Sequence, residues 1–159
     1  QGNEGIMRGS MVQNLRWAVQ KGQRVLLCAG ANALLKGNTA QIHHMLTRYK
    51  NAARTVEGTA KTVAKAQKTA AKTGVNLETM LNKILLGEHR GPHPNKYHEE
   101  ILKAFEQAVK EAGKSRGTLL VAGAEGAGLL VAEDVGERAL LMLAQKFCEK
   151  ESGLASLVK

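Results

Sequence analysis

Apolar positions along the 159-residue chain fall into segments of differing period. The first ten residues are Gly-rich and unpatterned and read as a linker end. From Met11 to about Leu35, the positions Val12, Leu15, Val19 and then Val25 to Leu27 predict a helix interrupted at Gly22 and Gly30. Gly37-Asn38 punctuates the chain, and Thr39 to Leu46 reads as a strand or the start of a helix. Between 48 and 73 the filler is Ala, Thr and Val, and a helix is predicted that stops at Gly74. A loop follows, then a short apolar run, Ile84-Leu85-Leu86, with the length of a strand. Pro94 suits the first turn of a helix. Tyr97, Ile101, Leu102, Phe105, Ala108 and Val109 repeat at helical spacing up to Gly113. After Gly117 the chain is rich in Gly, Ala and Leu. Gly123, Gly126 and Gly128 lack the dinucleotide-loop spacing and read as close helix contacts, and Leu140, Leu141, Leu143, Ala144 and Phe147 read as one buried helix face.

Composition strengthens the helical reading. Apolar residues make up 43% of the chain but aromatics only 3%, which favours helices packed on small side chains over an aromatic-rich sandwich. The formal net charge of +9 favours a polyanionic partner: nucleic acid first, an anionic membrane second, an acidic protein third. No segment is apolar over the length a membrane span needs. The N-terminus has no secretory pattern, and a start at Gln1 rather than Met suggests a piece of a longer polypeptide, with export signals of the parent polypeptide or a secretion apparatus expected upstream. Cys28 and Cys148 read first as two buried thiols, with a disulfide joining the ends as the alternative.

The charge is concentrated. Arg48, Lys50, Arg54, Lys61, Lys65, Lys68 and Lys72 stand against a single acid, Glu57. Lys61, Lys65, Lys68 and Lys72 share one helix face by their spacing. Such a face can be merely solvated, but the scarcity of acids favours phosphate binding along it.

All five histidines lie between His43 and His98. Neutral imidazole ligates divalent metals, and a neighbouring imidazole takes a proton near neutral pH. One metal on a scissile phosphate oxygen and one His activating water suffice for phosphodiester cleavage. Carboxylates are few here (Glu78, Glu88, Glu99, Glu100), so a single-metal His/Asn site fits better than a two-metal one. A closed structural zinc site drawn from the same histidines is the other possibility.

The segments Ile42-His43-His44-Met45-Leu46-Thr47, Gly74-Val75-Asn76-Leu77, Asn82-Lys83 and His89-Arg90-Gly91-Pro92-His93-Pro94-Asn95-Lys96-Tyr97-His98 resemble the AHH-type toxin nucleases of the HNH/endonuclease VII superfamily. These occur as C-terminal domains of bacterial polymorphic toxins and secreted effectors. The resemblance covers about residues 38 to 112, and Ile42 stands where the family's name has Ala. It implies a ββα-metal finger in which His43 is a metal ligand and His44 the general base. Asn82 would orient the base or the hairpin, His89 and His93 would complete the metal site, and His98 would be a ligand or phosphate contact. Arg90 would act in catalysis, holding the phosphate or stabilising transition-state charge, and Lys96 would contact phosphate.

The expected fold is therefore mainly α with a small β-hairpin, an HNH-like finger embedded in helices. Its expected parts are an N-terminal helical or linker segment (1–37), a nuclease core (38–114) and a C-terminal helical extension packed on that core (115–159). The expected function is a metal-dependent endonuclease toxin using one divalent ion (Mg, Mn, Ni or Zn). By resemblance its substrate is DNA, although no residue excludes RNA. Delivery to the cytoplasm of a target bacterium and neutralisation by a cognate immunity protein are implied likewise. Arg48, Lys50, Lys61, Lys65, Lys68, Lys72 and Lys96 are the expected nucleic-acid contacts. The alternative is a non-catalytic basic nucleic-acid-binding domain with a structural His metal site.

Overall fold

Lys21 and Gly22 both have positive φ (52° and 75°) and reverse the chain between β2 (Leu15–Gln20) and β3 (Gln23–Cys28). A two-residue turn with both φ positive matches the twist of antiparallel strands. The helix expected from Met11 onward is thus a hairpin wherever the computed structural model describes it. The described residues are 9–29, 41–47, 59–86 and 93–158. The expectations for the first eight residues and for Gly30 to Asn38 lie outside them.

The hairpin belongs to a four-stranded mixed sheet in the order β2-β3-β5-β4, with β4 Gln41–His44 and β5 Lys83–Leu86. Strands β3 and β5 run parallel, with Leu26 opposite Ile84, and β4 is antiparallel to β5. A second sheet, β1-β6-β7, is built from β1 (Ser10–Met11), β6 (Leu119–Ala122) and β7 (Leu129–Ala132). A bridge from Trp17 to Gly123 links the two sheets, and the Trp17 indole N–H donates to the Gly128 carbonyl at 3.2 Å.

Three α-helices are present among the described residues: α1 (Thr59–Lys72), α2 (Asn95–Lys114) and α3 (Val135–Cys148). In α1 the buried positions Thr59, Val63, Ala66 and Ala70 recur at steps of four, three and four, a narrow stripe of mostly small residues. This stripe packs on α2, which in turn packs on α3. A capping box of Asp134 and Glu137 starts α3. Gly136 lets that first turn approach closely, because a Cβ there would strike Val75 and Thr73.

The expected mainly α chain with one small hairpin is therefore corrected, among the described residues, to three helices and two small mixed sheets. Short buried strands such as Val25-Leu26-Leu27 form continuous apolar runs that periodicity does not separate from helix. The Gly-rich stretch after Gly117 is likewise a β-hairpin rather than a helix contact. Gly126 and Gly128 take positive φ in its turn, and a Cβ on Gly123 would meet Ala127 and the Gly128 carbonyl. The later part of that extension is helical, as expected, with Leu140, Leu141, Leu143, Ala144 and Phe147 buried. The strand β4, its partner β5 and the following α2 are compatible with the ββα arrangement the resemblance implies.

One core cluster gathers Leu15, Leu26, Ile84, Tyr97, Phe105, Leu140 and Phe147 on the helix side of the larger sheet. A smaller one, Ala18, Val25, Leu27 and Leu85, lies on its other face. Cys28 and Cys148 are joined by a disulfide, so the reading as two buried thiols is corrected. The ends of β3 and α3 come together in space, a proximity that spacing alone did not reveal.

Candidate active site

Strand alternation sends His43 and His44 to opposite faces of β4. His43 lies opposite Ile84 in the β4–β5 register and therefore faces the helices, where it is only 3% exposed. His44 faces the other way, partly open, with its Nε2 3.7 Å from Glu78 Oε1. That distance is too long for a direct hydrogen bond but within reach of an ion pair when the imidazole is protonated.

The chain leaving β4 is clamped by Asn82. The Asn82 side chain accepts from the Leu46 N–H at 2.8 Å and donates to the Leu46 and Leu77 carbonyls, each at 2.9 Å. The Met45 N–H donates to the Asn82 main-chain carbonyl at 2.9 Å. Asn82 is fully buried, and these bonds hold the backbone directly after the histidine pair.

Helix α2 brings the remaining described histidines. His93 immediately precedes the N-cap Pro94, and Tyr97 and His98 lie in the first turn. The His43 and His93 rings meet edge to face with centres 4.5 Å apart, and His93 and His98 are 5.9 Å apart. Tyr97 lies between them, 5.4 Å from His43 and 4.8 Å from His93, and Phe147 of α3 backs His43 at 5.7 Å. His98 is only 6% exposed, and burial lowers its pKa below the ordinary 6.5, which favours the neutral ring. Tyr97 is wholly buried, and desolvation pushes its phenol well above its usual range.

The basic helix is fixed beside these residues at two points. Thr59 Oγ1 donates to Asn95 Oδ1 at 2.9 Å, tying the start of α1 to the start of α2. Gln67 Nε2 donates to the Thr47 carbonyl at 2.8 Å, three residues beyond His44. Lys61, Lys65, Lys68 and Lys72 are all exposed, as is Lys96 on α2. Arg48, Lys50, His89 and Arg90 lie outside the described residues.

The structure thus brings together His43, His93 and His98, sets His44 on the opposite face of β4, and places Asn82 at the strand end that follows the histidine pair. Among the described residues, no three His, Cys, Asp or Glu side chains stand together in ligating geometry. Two imidazoles on one tetrahedral ion, with metal–nitrogen bonds of about 2.0–2.1 Å, hold their ring centres about 5 Å apart. The 4.5 Å spacing of the His43 and His93 ring centres is close to that. Sequence reasoning missed Tyr97, read only as a core position, and the approach of Glu78 to His44. A Tyr within a histidine-rich turn was the available signal for the first; the second depends on the fold of the loop at 74–79.

Comparison with known proteins adds one match. The model of AHH, a nuclease family of the HNH/ENDO VII superfamily with a conserved AHH, matches residues 28–119, more than half of the chain. No curated protein and no solved structure matches.

Proposed function

This chain belongs to the AHH nuclease family of the HNH/endonuclease VII superfamily, and from that premise we propose that it is a metal-dependent endonuclease that hydrolyses DNA. The observation that carries the reading is the meeting of His43 from β4 and His93 from the start of α2, ring centres 4.5 Å apart, with His44 adjoining on the same strand. His43 and His93, with His89, would hold one divalent ion: Mg, Mn, Ni or Zn. Bound there, the ion supplies positive charge for the scissile phosphate. His44 takes a proton from the attacking water, and Glu78 stabilises the imidazolium that results. Asn82 keeps the strand end in place. Arg90 stabilises developing phosphate charge, and His98 serves as ligand or phosphate contact.

The exposed lysines of α1, with Arg48, Lys50 and Lys96, would track the nucleic-acid backbone. Two hydrogen bonds anchor that helix beside the histidines, so phosphates held along it would lie near the chemistry. The described residues contain no helix long and apolar enough to cross a membrane.

The proposal extends to a toxin delivered into bacterial cells from a longer parent polypeptide or by a secretion apparatus. In it, residues 38–114 form the nuclease core, with 1–37 and 115–159 completing it. The Cys28–Cys148 disulfide supports passage through an oxidising compartment, where such bonds persist. The +9 charge suits an acidic immunity protein as the neutralising partner.

A second reading is a non-catalytic nucleic-acid-binding domain. It is favoured by the burial of His43 against Tyr97 and Phe147, which also suits a core histidine. Incubating the chain with plasmid DNA and with RNA, in each of the four metals and in chelator, separates the two. Metal-dependent cleavage of DNA supports the nuclease, and salt-sensitive binding without cleavage in any metal supports the alternative.

A further inference from the structure

The buried Tyr97 hydroxyl makes two short hydrogen bonds, and its single proton decides the state of the histidine beside it. Tyr97 Oη donates to the Met45 carbonyl at 2.7 Å and lies 2.7 Å from His43 Nε2. A carbonyl oxygen only accepts, so the phenol proton is committed to Met45. The hydroxyl then faces Nε2 with a lone pair, and the contact is a hydrogen bond only if Nε2 carries a proton. We propose that Tyr97 is a positioning residue that fixes neutral His43 as its Nε2–H tautomer, with Nδ1 unprotonated.

The opposite tautomer would set two lone pairs against each other in a buried site, Tyr97 being 0% and His43 3% exposed. Leaving such acceptors unsatisfied disfavours that form on the order of tenfold or more. Rotation of the phenol is restricted as well. Its ring packs edge-on against His98 and Phe147, with centres 5.4 and 6.2 Å away. Met45 directly follows the histidine pair, so one hydroxyl holds both the end of β4 and the tautomer of its buried histidine. Outer partners that fix the tautomer of a ligating histidine commonly affect metal affinity or activity 10–100-fold.

What Nδ1 then does, ligating an ion, rests on the nuclease reading; the tautomer does not. The test is a long-range proton–nitrogen correlation spectrum of the metal-free, nitrogen-15-labelled chain at about pH 8, above the ordinary imidazole range. The expected result is a protonated Nε2 and an unprotonated Nδ1 on His43 in the wild type. In Tyr97→Phe, which keeps the ring and loses the hydroxyl, a mixture of tautomers is expected, with cleavage falling about 10–100-fold and DNA affinity unchanged. A wild-type spectrum with the proton on Nδ1 overturns the proposal, and so does an unchanged His43 signature in Tyr97→Phe. If that variant does not fold, the wild-type spectrum alone decides. Because the spectrum needs neither metal nor substrate, a chain that never cuts DNA can still carry the predicted tautomer, so failure of the nuclease reading is told apart from failure of this one.

Discussion

Asn82 and Leu46, thirty-six residues apart, are joined by two hydrogen bonds between one buried side-chain amide and both polar groups of one peptide backbone residue. A third bond from the same amide reaches the Leu77 carbonyl. Removing the amide in Asn82→Ala leaves these groups without that partner inside the protein. The expected loss is about 2–3 kcal/mol of stability, from net bond values near 1 kcal/mol and the cost of unsatisfied buried groups. Chemical denaturation of wild type and variant checks this; an unchanged midpoint and slope would mean that the clamp contributes nothing.

The α1 lysines act, in this account, on binding rather than on folding. Replacing Lys61, Lys65, Lys68 and Lys72 together with Gln should reduce the steepness of log affinity against log salt by about 3–4, at about 0.9 per phosphate contact. Thermal stability should barely move, since all four side chains are exposed. Binding measured on the His44→Ala background, over a range of salt, isolates this term from cleavage. An unaltered slope would make the lysine face a solvated surface only.

The disulfide closes a separation of 120 residues and ties the second hairpin strand to the end of the last helix. Cys28→Ala with Cys148→Ala should lower stability by about 2–5 kcal/mol, chiefly by freeing the unfolded chain. Thermal unfolding of the double variant beside the oxidised wild type measures the difference. A loss below about 1 kcal/mol would indicate that the unfolded chain gains little freedom when the bond is absent.

His98 gives a pH dependence with a definite sign. Burial lowers its folded pKa below the ordinary 6.5, so the unfolded chain binds the proton more readily. Its contribution is full above about pH 6.5 and is lost as the pH falls through that value toward the folded pKa. Replacing it in His98→Gln should flatten stability against pH between about 7 and 5. Unfolding midpoints across that range provide the comparison, and an identical slope in the variant would sink the assignment.

Several parts of this arrangement were legible in the sequence, for physical reasons that differ. Helix α2 followed from the spacing of Tyr97, Ile101, Leu102, Phe105 and Ala108, all of which are buried. The lysine face of α1 followed from steps of four, three and four. The gathering of His43, His93 and His98 was suggested by their clustering and by the resemblance. The β2–β3 hairpin was not legible as a hairpin, because Val12, Leu15 and Val19 also fit a helical period and Gly22 reads as a helix break. The parallel pairing of Leu26 with Ile84 joins strands far apart in the chain, and no local pattern encodes it. The opposite faces of His43 and His44 follow only once β4 is known to be a strand. The Tyr97–His43 bond needs the packing of α2 on the larger sheet.

The proposed nuclease rests on His44 as its base. Its most direct test is plasmid cleavage by wild type and His44→Ala, each in chelator and with Mg, Mn, Ni or Zn. Cleavage by the wild type is expected only with metal, and a rate about 10²–10⁴-fold lower in the folded variant, the span typical of a lost general base. Equal cleavage by both proteins would remove His44 from that role. Binding by both without cutting in any metal would contradict the nuclease itself.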